Sequence, residues 1–165
     1  MGLKPKSRPV ARSLVAVGAG RRLRYLWIIC VLALIPPAKP AAGPNDLAVI
    51  VHPQSGVAEL TRAEVINIFL GRQRRLPSGV AALTVDLAAE SGEKREFYEQ
   101  LVQKKPGEIQ SYWARVVFSG RGAAPWQAEN AKEVVSIVSK YEGAIGYVRE
   151  AEVNDGVRMV YSLAE

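Results

Sequence analysis

The 165-residue chain carries 22 Lys and Arg against 16 Asp and Glu, 48% hydrophobic residues, one His and one Cys, for a formal net charge of +6. Eight of the bases but only one acid, Asp46, fall within the first 46 residues, which leaves 14 bases against 15 acids beyond them. Nucleic-acid binding is disfavoured because the excess charge lies in a tail rather than on a folded face, and the single Cys30 and single His52 exclude an intrachain disulfide, Cys-based metal clusters and multi-histidine zinc sites.

The N-terminal segment is basic up to Arg24, apolar from Tyr25 to Ile35, and then broken by Pro36-Pro37 and small residues, the order of a secretory signal. A bilayer-crossing helix needs about 20 apolar residues, and this run stops short at the proline pair. Residues 1–43 are therefore expected to be a signal peptide. The alternative is an uncleaved N-terminal anchor, because Lys39 or Pro40 stands where cleavage near Ala41-Ala42-Gly43 prefers a small side chain. Arg21-Arg22 has the look of a twin-arginine signal, but Arg24 sits where such signals turn apolar. The domain over 44–165 is expected to be periplasmic or secreted, or else membrane-anchored outside the cytoplasm, with membrane contact only through an uncleaved leader.

About 120 residues then suffice for one domain with its own core. Leu47 to Val51 is a β-favouring run closed by the turn formers His52 to Gly56. Thr61 and Glu64 have capping-box spacing ahead of an apolar stripe of Val65, Ile66, Phe69 and Leu70, and Gly71 follows as a helix stop. Val80 to Val85 reads as a second strand running into a loop over Asp86 to Glu90. Ser91-Gly92 opens a helix carrying Phe97, Leu101 and Val102 and ending before Pro106. A third helix bears Ile109, Tyr112, Trp113, Val116 and Val117, and a fourth is capped by Asn130 and striped by Val134, Ile137, Val138 and Tyr141. Ala144 to Val148 and Val157 to Tyr161 read as closing strands. This alternation predicts an α/β fold, a small sheet flanked by about four helices.

In α/β sheets ligands bind beyond the carboxyl ends of strands, where helix N-termini offer free N–H groups and a positive dipole end. Ser91 with the amides of Gly92, Glu93 and Lys94 is one such candidate oxyanion site; the plainer reading is that Ser91 only caps its own helix. Ser119 and Arg121, in the glycine-bearing loop Ser119 to Gly122, form a second candidate, against the plainer reading that these glycines only serve a turn. Glu93, Glu96 and Glu99 with Lys94 and Arg95 read as a solvated helix face. No nucleophile elbow, catalytic residue, metal-ligand pattern or cofactor motif is present, and His52 reads as a turn histidine.

Three stretches carry a resemblance: Leu60 to Arg72 with its Ile68-Phe69-Leu70-Gly71-Arg72, Ser91 to Phe97, and Glu142 to Val148 with its Gly143-Ala144-Ile145-Gly146-Tyr147-Val148. Together these resemble the phosphate ABC transporter substrate-binding proteins of the type II periplasmic binding protein superfamily, and within it the short, single-lobe relatives. The resemblance implies a single-lobe periplasmic-binding-protein-like α/β domain with a small mixed sheet. It further implies a non-enzymatic exported protein that binds phosphate or a similar oxyanion weakly, with an envelope transporter or sensor protein as partner. The family's phosphate is held by a Ser-Gly-Thr type turn opening a helix, preceded by an arginine. Ser91 and Gly92 match the turn and Phe97 its following aromatic, while Glu93 replaces the hydroxyl residue and Leu87 stands near the arginine's place. A carboxylate about 4 Å from a phosphate would oppose it by roughly 4 kcal/mol in a surface-like dielectric. The competing expectation is a periplasmic interaction module that has lost anion binding and presents a surface around Arg121 or Trp126.

Overall fold

The computed structural model describes Gly2, Gly43 and residues 45–164. The leader expected over 1–43 lies outside the described residues, apart from those two glycines.

Five strands form one mixed sheet: β1 (Leu47–Val51), β2 (Leu83–Leu87), β3 (Trp126–Ala128), β4 (Ala144–Arg149) and β5 (Arg158–Ser162), in the order β3-β2-β4-β1-β5. β2 runs parallel to both β3 and β4, whereas β1 pairs antiparallel with β4 and β5. Four α-helices flank the sheet: α1 (Arg62–Phe69), α2 (Gly92–Val102), α3 (Pro106–Phe118) and α4 (Ala131–Val138). The architecture is the expected single lobe with a mixed sheet.

Every residue of β1 is buried, so the strand reads as a continuous apolar run rather than an alternating one, because both faces of the sheet are covered. On one face α4 crosses β2 and β4. It approaches so closely that a Cβ added to Gly146 of β4 would lie 2.5 Å from Val134 Cγ1. On the other face the rings of Phe69 (α1), Phe97 (α2) and Tyr147 (β4) meet; Phe97 and Tyr147 stack at 3.8 Å, and Phe69 meets Phe97 edge-on at 4.8 Å. Fully burying side chains of this size contributes about 1.5–3 kcal/mol each, so this trio fixes α1 and α2 on the sheet.

Thr61 and Glu64 form the capping box that opens α1: Glu64 Oε2 accepts from the Thr61 N–H at 2.8 Å, and the Thr61 hydroxyl accepts from the Glu64 N–H. The buried stripe of α1 uses Ile68 in place of Ile66, which is only partly covered. Gly71 follows with φ +66°, and a Cβ there would come 2.7 Å from the Trp113 ring, so both backbone conformation and close packing demand glycine. Pro106 occupies the first turn of α3, where its missing N–H costs nothing. In α4, Val134 and Val138 are buried, but Tyr141 lies beyond the helix and is 57% exposed.

Candidate functional site

Because β2 and β4 are parallel, their carboxyl ends reach the same edge of the sheet, and α2 begins there. Ser91 is the N-cap of α2, its N–H donating to Ala88 O across the turn that leaves β2. Its Oγ accepts from the Lys94 N–H at 3.2 Å and donates to Glu93 Oε2 at 2.8 Å. Its own backbone amide first, then the Ser91 hydroxyl and, more weakly, Arg149 hold the Glu93 carboxyl below the usual range, against an opposing effect of burial. Of the first three amides of α2, that of Lys94 donates to Ser91 Oγ. The Glu93 carboxylate is held at this helix start by the Ser91 hydroxyl.

Lys94 does not belong to a solvated face. It is 6% exposed, and its Nζ donates to Leu87 O at 2.9 Å and pairs with Asp86 Oδ2 at 2.9 Å. Asp86, 2% exposed, also accepts from the Tyr147 hydroxyl at 2.6 Å and the Tyr98 hydroxyl at 3.1 Å. Burial first, and then the Asp86 charge, push both tyrosines well above their usual pKa. The buried pair tolerates desolvation because its oxygens and ammonium find these further partners; removing one member of such a pair costs about 3–5 kcal/mol. The ammonium is therefore committed inward. Asp86 was expected in a loop, and only its place inside β2 makes it the partner of Lys94.

Arg149, at the carboxyl end of β4, is the guanidinium that reaches this edge. It makes a two-pronged bond to Glu96 of α2, at 2.8 and 2.6 Å, and donates to Asn45 O at 2.6 Å. Leu87, near the place of the family's arginine, is an apolar side chain 2% exposed. With Glu93 and Glu96 set against Arg149, the mouth is short of positive charge. Sequence spacing gave no signal for Arg149, Tyr98 or Tyr147, since the contacts of Arg149 with Glu96 and of Tyr147 with Asp86 join residues 53 and 61 positions apart.

Ser119 and Arg121 lie elsewhere. Ser119 is the C-cap of α3, at the negative end of that helix; its hydroxyl donates to Val116 O at 3.0 Å and accepts from Arg121 Nε at 3.0 Å. The Arg121 carbonyl accepts from Arg74, which lines a cavity of about 330 Å³ at the amino ends of β2 and β3. Ser91 follows the carboxyl end of β2, so the two candidate sites sit at opposite poles of the sheet.

Among the described residues, no group of three or more His, Cys, Asp or Glu could hold a metal ion, and no helix is long and apolar enough to cross a membrane. His52 accepts from the Gln54 N–H at 3.1 Å in the turn after β1.

No family model matches the sequence, and no curated protein does. Solved structures do. A Clostridium perfringens protein described as a phosphate ABC transporter substrate-binding protein, solved with bound phosphate, superposes with a TM-score of 0.57 at 22% identity, over 70% of this chain and 44% of its own. An ABC-type phosphate transport receptor from Vibrio cholerae gives 0.56 at 16% identity, over 70% and 45%. PstS from Borrelia burgdorferi gives 0.53 at 15%, over 70% and 46%. The domain has the periplasmic-binding-protein-like fold. This chain spans less than half the length of those proteins, in keeping with the single five-stranded sheet described above. In this domain the helix that starts beyond β2 carries Glu93 in its first turn, hydrogen-bonded to the Ser91 cap.

Proposed function

We propose that this protein is an exported substrate-binding-protein-like domain that binds phosphate or a similar oxyanion weakly at the start of α2, in connection with transport or sensing. The observation that carries the reading is the Glu93 carboxylate, 2.8 Å from Ser91 Oγ at the first turn of α2. It acts as a built-in stand-in for the anion and competes with one. The fold likeness to proteins named for phosphate transport supports the ligand class. A single lobe leaves the bound anion hydrated on one side, so each donor contributes less than in an enclosed cleft.

Titration calorimetry on the full chain with phosphate, sulfate and acetate tests this. The wild type should give heat only at millimolar anion. Glu93→Thr, which removes the competitor and restores a hydroxyl, should tighten phosphate at least about tenfold, a gain of about 1.4 kcal/mol. A folded Glu93→Thr protein that shows no phosphate heat at the same concentrations would reject the site.

The second reading is an interaction module whose anion grip is permanently satisfied by Glu93. The observation favouring it is an exposed apolar surface at the other pole, where Phe118 is 97% and Trp126 60% exposed.

A further inference from the structure

The pole opposite Ser91 combines features that the oxyanion reading does not use. Between Val65 and Val85, and again between Ile109 and Ala128, the chain has no acidic residue, while these stretches carry Arg72, Arg74, Arg75, Arg115 and Arg121. All five arginines are exposed, and none forms an ion pair among the described residues. Four of them are brought together in pairs. Arg74 donates to the carbonyl of Arg121, and Arg72 and Arg115 line one surface depression. The acid in that depression, Glu108, is already paired with Lys104 at 2.8 Å.

Trp126 and Val117, 60% and 49% exposed, each line a cavity here, and Phe118, the last residue of α3, is 97% exposed. Two cavities of about 330 and 480 Å³ share Trp113, Ala124 and Pro125 as walls; the first reaches Arg74 and Trp126, and the second runs past Val117 to Asp86, Ala89 and Lys94 near the start of α2. Exposed aromatic groups with arginines around a pocket have the composition of an interface centre, and contiguous exposed apolar surface on a soluble domain marks an interaction site.

We infer that this pole docks an acidic segment of a partner protein, its carboxylates on the arginines and an apolar side chain seated in the groove beside Trp126. Charge fixes the sign of the partner, because the five guanidiniums are outside any ion pair among the described residues and the acids lining these depressions, Glu108 and Asp86, are already paired with lysines, which leaves carboxylates or phosphates favoured. The groove decides between classes: a flat lipid headgroup layer leaves a concavity empty, whereas a protein side chain fills it. The arginines and Trp126 on which the inference rests are not residues of the anion site, although the second cavity extends to Asp86 and Lys94 beside it.

The test uses the full chain and a fluorescein-labelled peptide of alternating Glu and Leu with a central Trp, read by fluorescence anisotropy. A matched peptide with Gln for each Glu serves as control. Binding should be at least tenfold tighter for the Glu peptide and should weaken on raising salt from about 0.05 to 0.3 M, as the Debye length shrinks. Arg74→Glu with Arg121→Glu should weaken it at least tenfold. Because Arg74 also bonds the 121 loop, Arg72→Glu with Arg115→Glu is the second variant, and Trp126→Ala should lower affinity without changing the salt dependence. Equal binding of both peptides, undiminished binding by both arginine variants, or no binding at millimolar peptide would overturn the inference. So would vesicles of phosphatidylglycerol and phosphatidylcholine, or a single-stranded oligonucleotide, bound in an arginine-dependent way in place of the peptide; those results would make the partner a lipid surface or a nucleic acid.

Discussion

Ser91 and Glu93 show how a helix start can engage a carboxylate from its own first turn. A helix N-terminus presents unpaired amides and a partial positive charge, and a carboxylate two residues after the cap can satisfy them from within. The Glu93 carboxyl titrates below its usual value of 4.5 because its own amide and the Ser91 hydroxyl favour the charged form. A group with a depressed folded pKa supports the fold above its unfolded pKa and loses that support as pH falls through the folded value. The same protonation removes the charge that opposes an external anion. Sulfate, which stays dianionic, should therefore bind more tightly as pH drops below about 4.5, measured by calorimetry on protein shown to be folded, and Glu93→Gln should abolish that dependence. Sulfate affinity that stays flat with pH in the wild type would show that Glu93 does not guard the mouth. The cap at Ser91 was legible because capping is local, a matter of three residues. Lys94 was not, because its partner lies on another element and mixed charge on a helix normally means solvent.

At the scale of elements, the largest displacement between expectation and structure is β2. The apolar run Val80 to Val85 suggested a strand ending before Asp86, whereas the strand spans Leu83–Leu87 and carries Asp86 inside the fold. A buried aspartate breaks the apolar pattern by which strands are read; it is tolerated here only because α2 supplies Lys94 and Tyr98 and β4 supplies Tyr147. β3 escaped notice for a different reason. It is a three-residue edge strand with two exposed residues, too short to display a period. The caps at Thr61, Ser91 and Asn130 and the long runs of β1 and β4 were readable, since each depends on neighbouring residues alone.

The Asp86 cluster ties three elements, and its loss should be cooperative. Tyr147→Phe removes the 2.6 Å bond to Asp86 and should lower unfolding stability by about 1–3 kcal/mol in urea titration. Both tyrosines have raised folded pKa values, so the support they give is complete below their usual value of 10.0 and lost as pH rises through the folded values. The urea midpoint should fall more steeply above about pH 10 for the wild type than for Tyr147→Phe. Identical alkaline slopes would show that Tyr147 does not titrate on unfolding as described.

On the scale of the whole molecule, the chain has the fold of phosphate-transport binding proteins while spanning under half their length. The amphipathic patterns and caps made the α/β class readable, and the glycine-bearing stretches carried the resemblance because Gly71 and Gly146 are required by close packing on Trp113 and Val134. What no local pattern could reveal is the separation of the two poles. One end of the sheet carries Ser91, Glu93, Glu96 and Arg149; the other carries Arg74, Arg121 and the exposed Trp126. If both proposals hold, substitutions at one end should leave binding at the other intact.

Whether the start of α2 is an oxyanion grip held by the chain's own carboxylate is read out by amide chemical shifts of the nitrogen-15-labelled Glu93→Thr protein, followed during phosphate titration. Saturable shifts confined to Gly92, position 93, Lys94 and their neighbours, with much weaker shifts in the wild type, are predicted. Shifts centred on Arg121, or none at these amides in either protein, would contradict it.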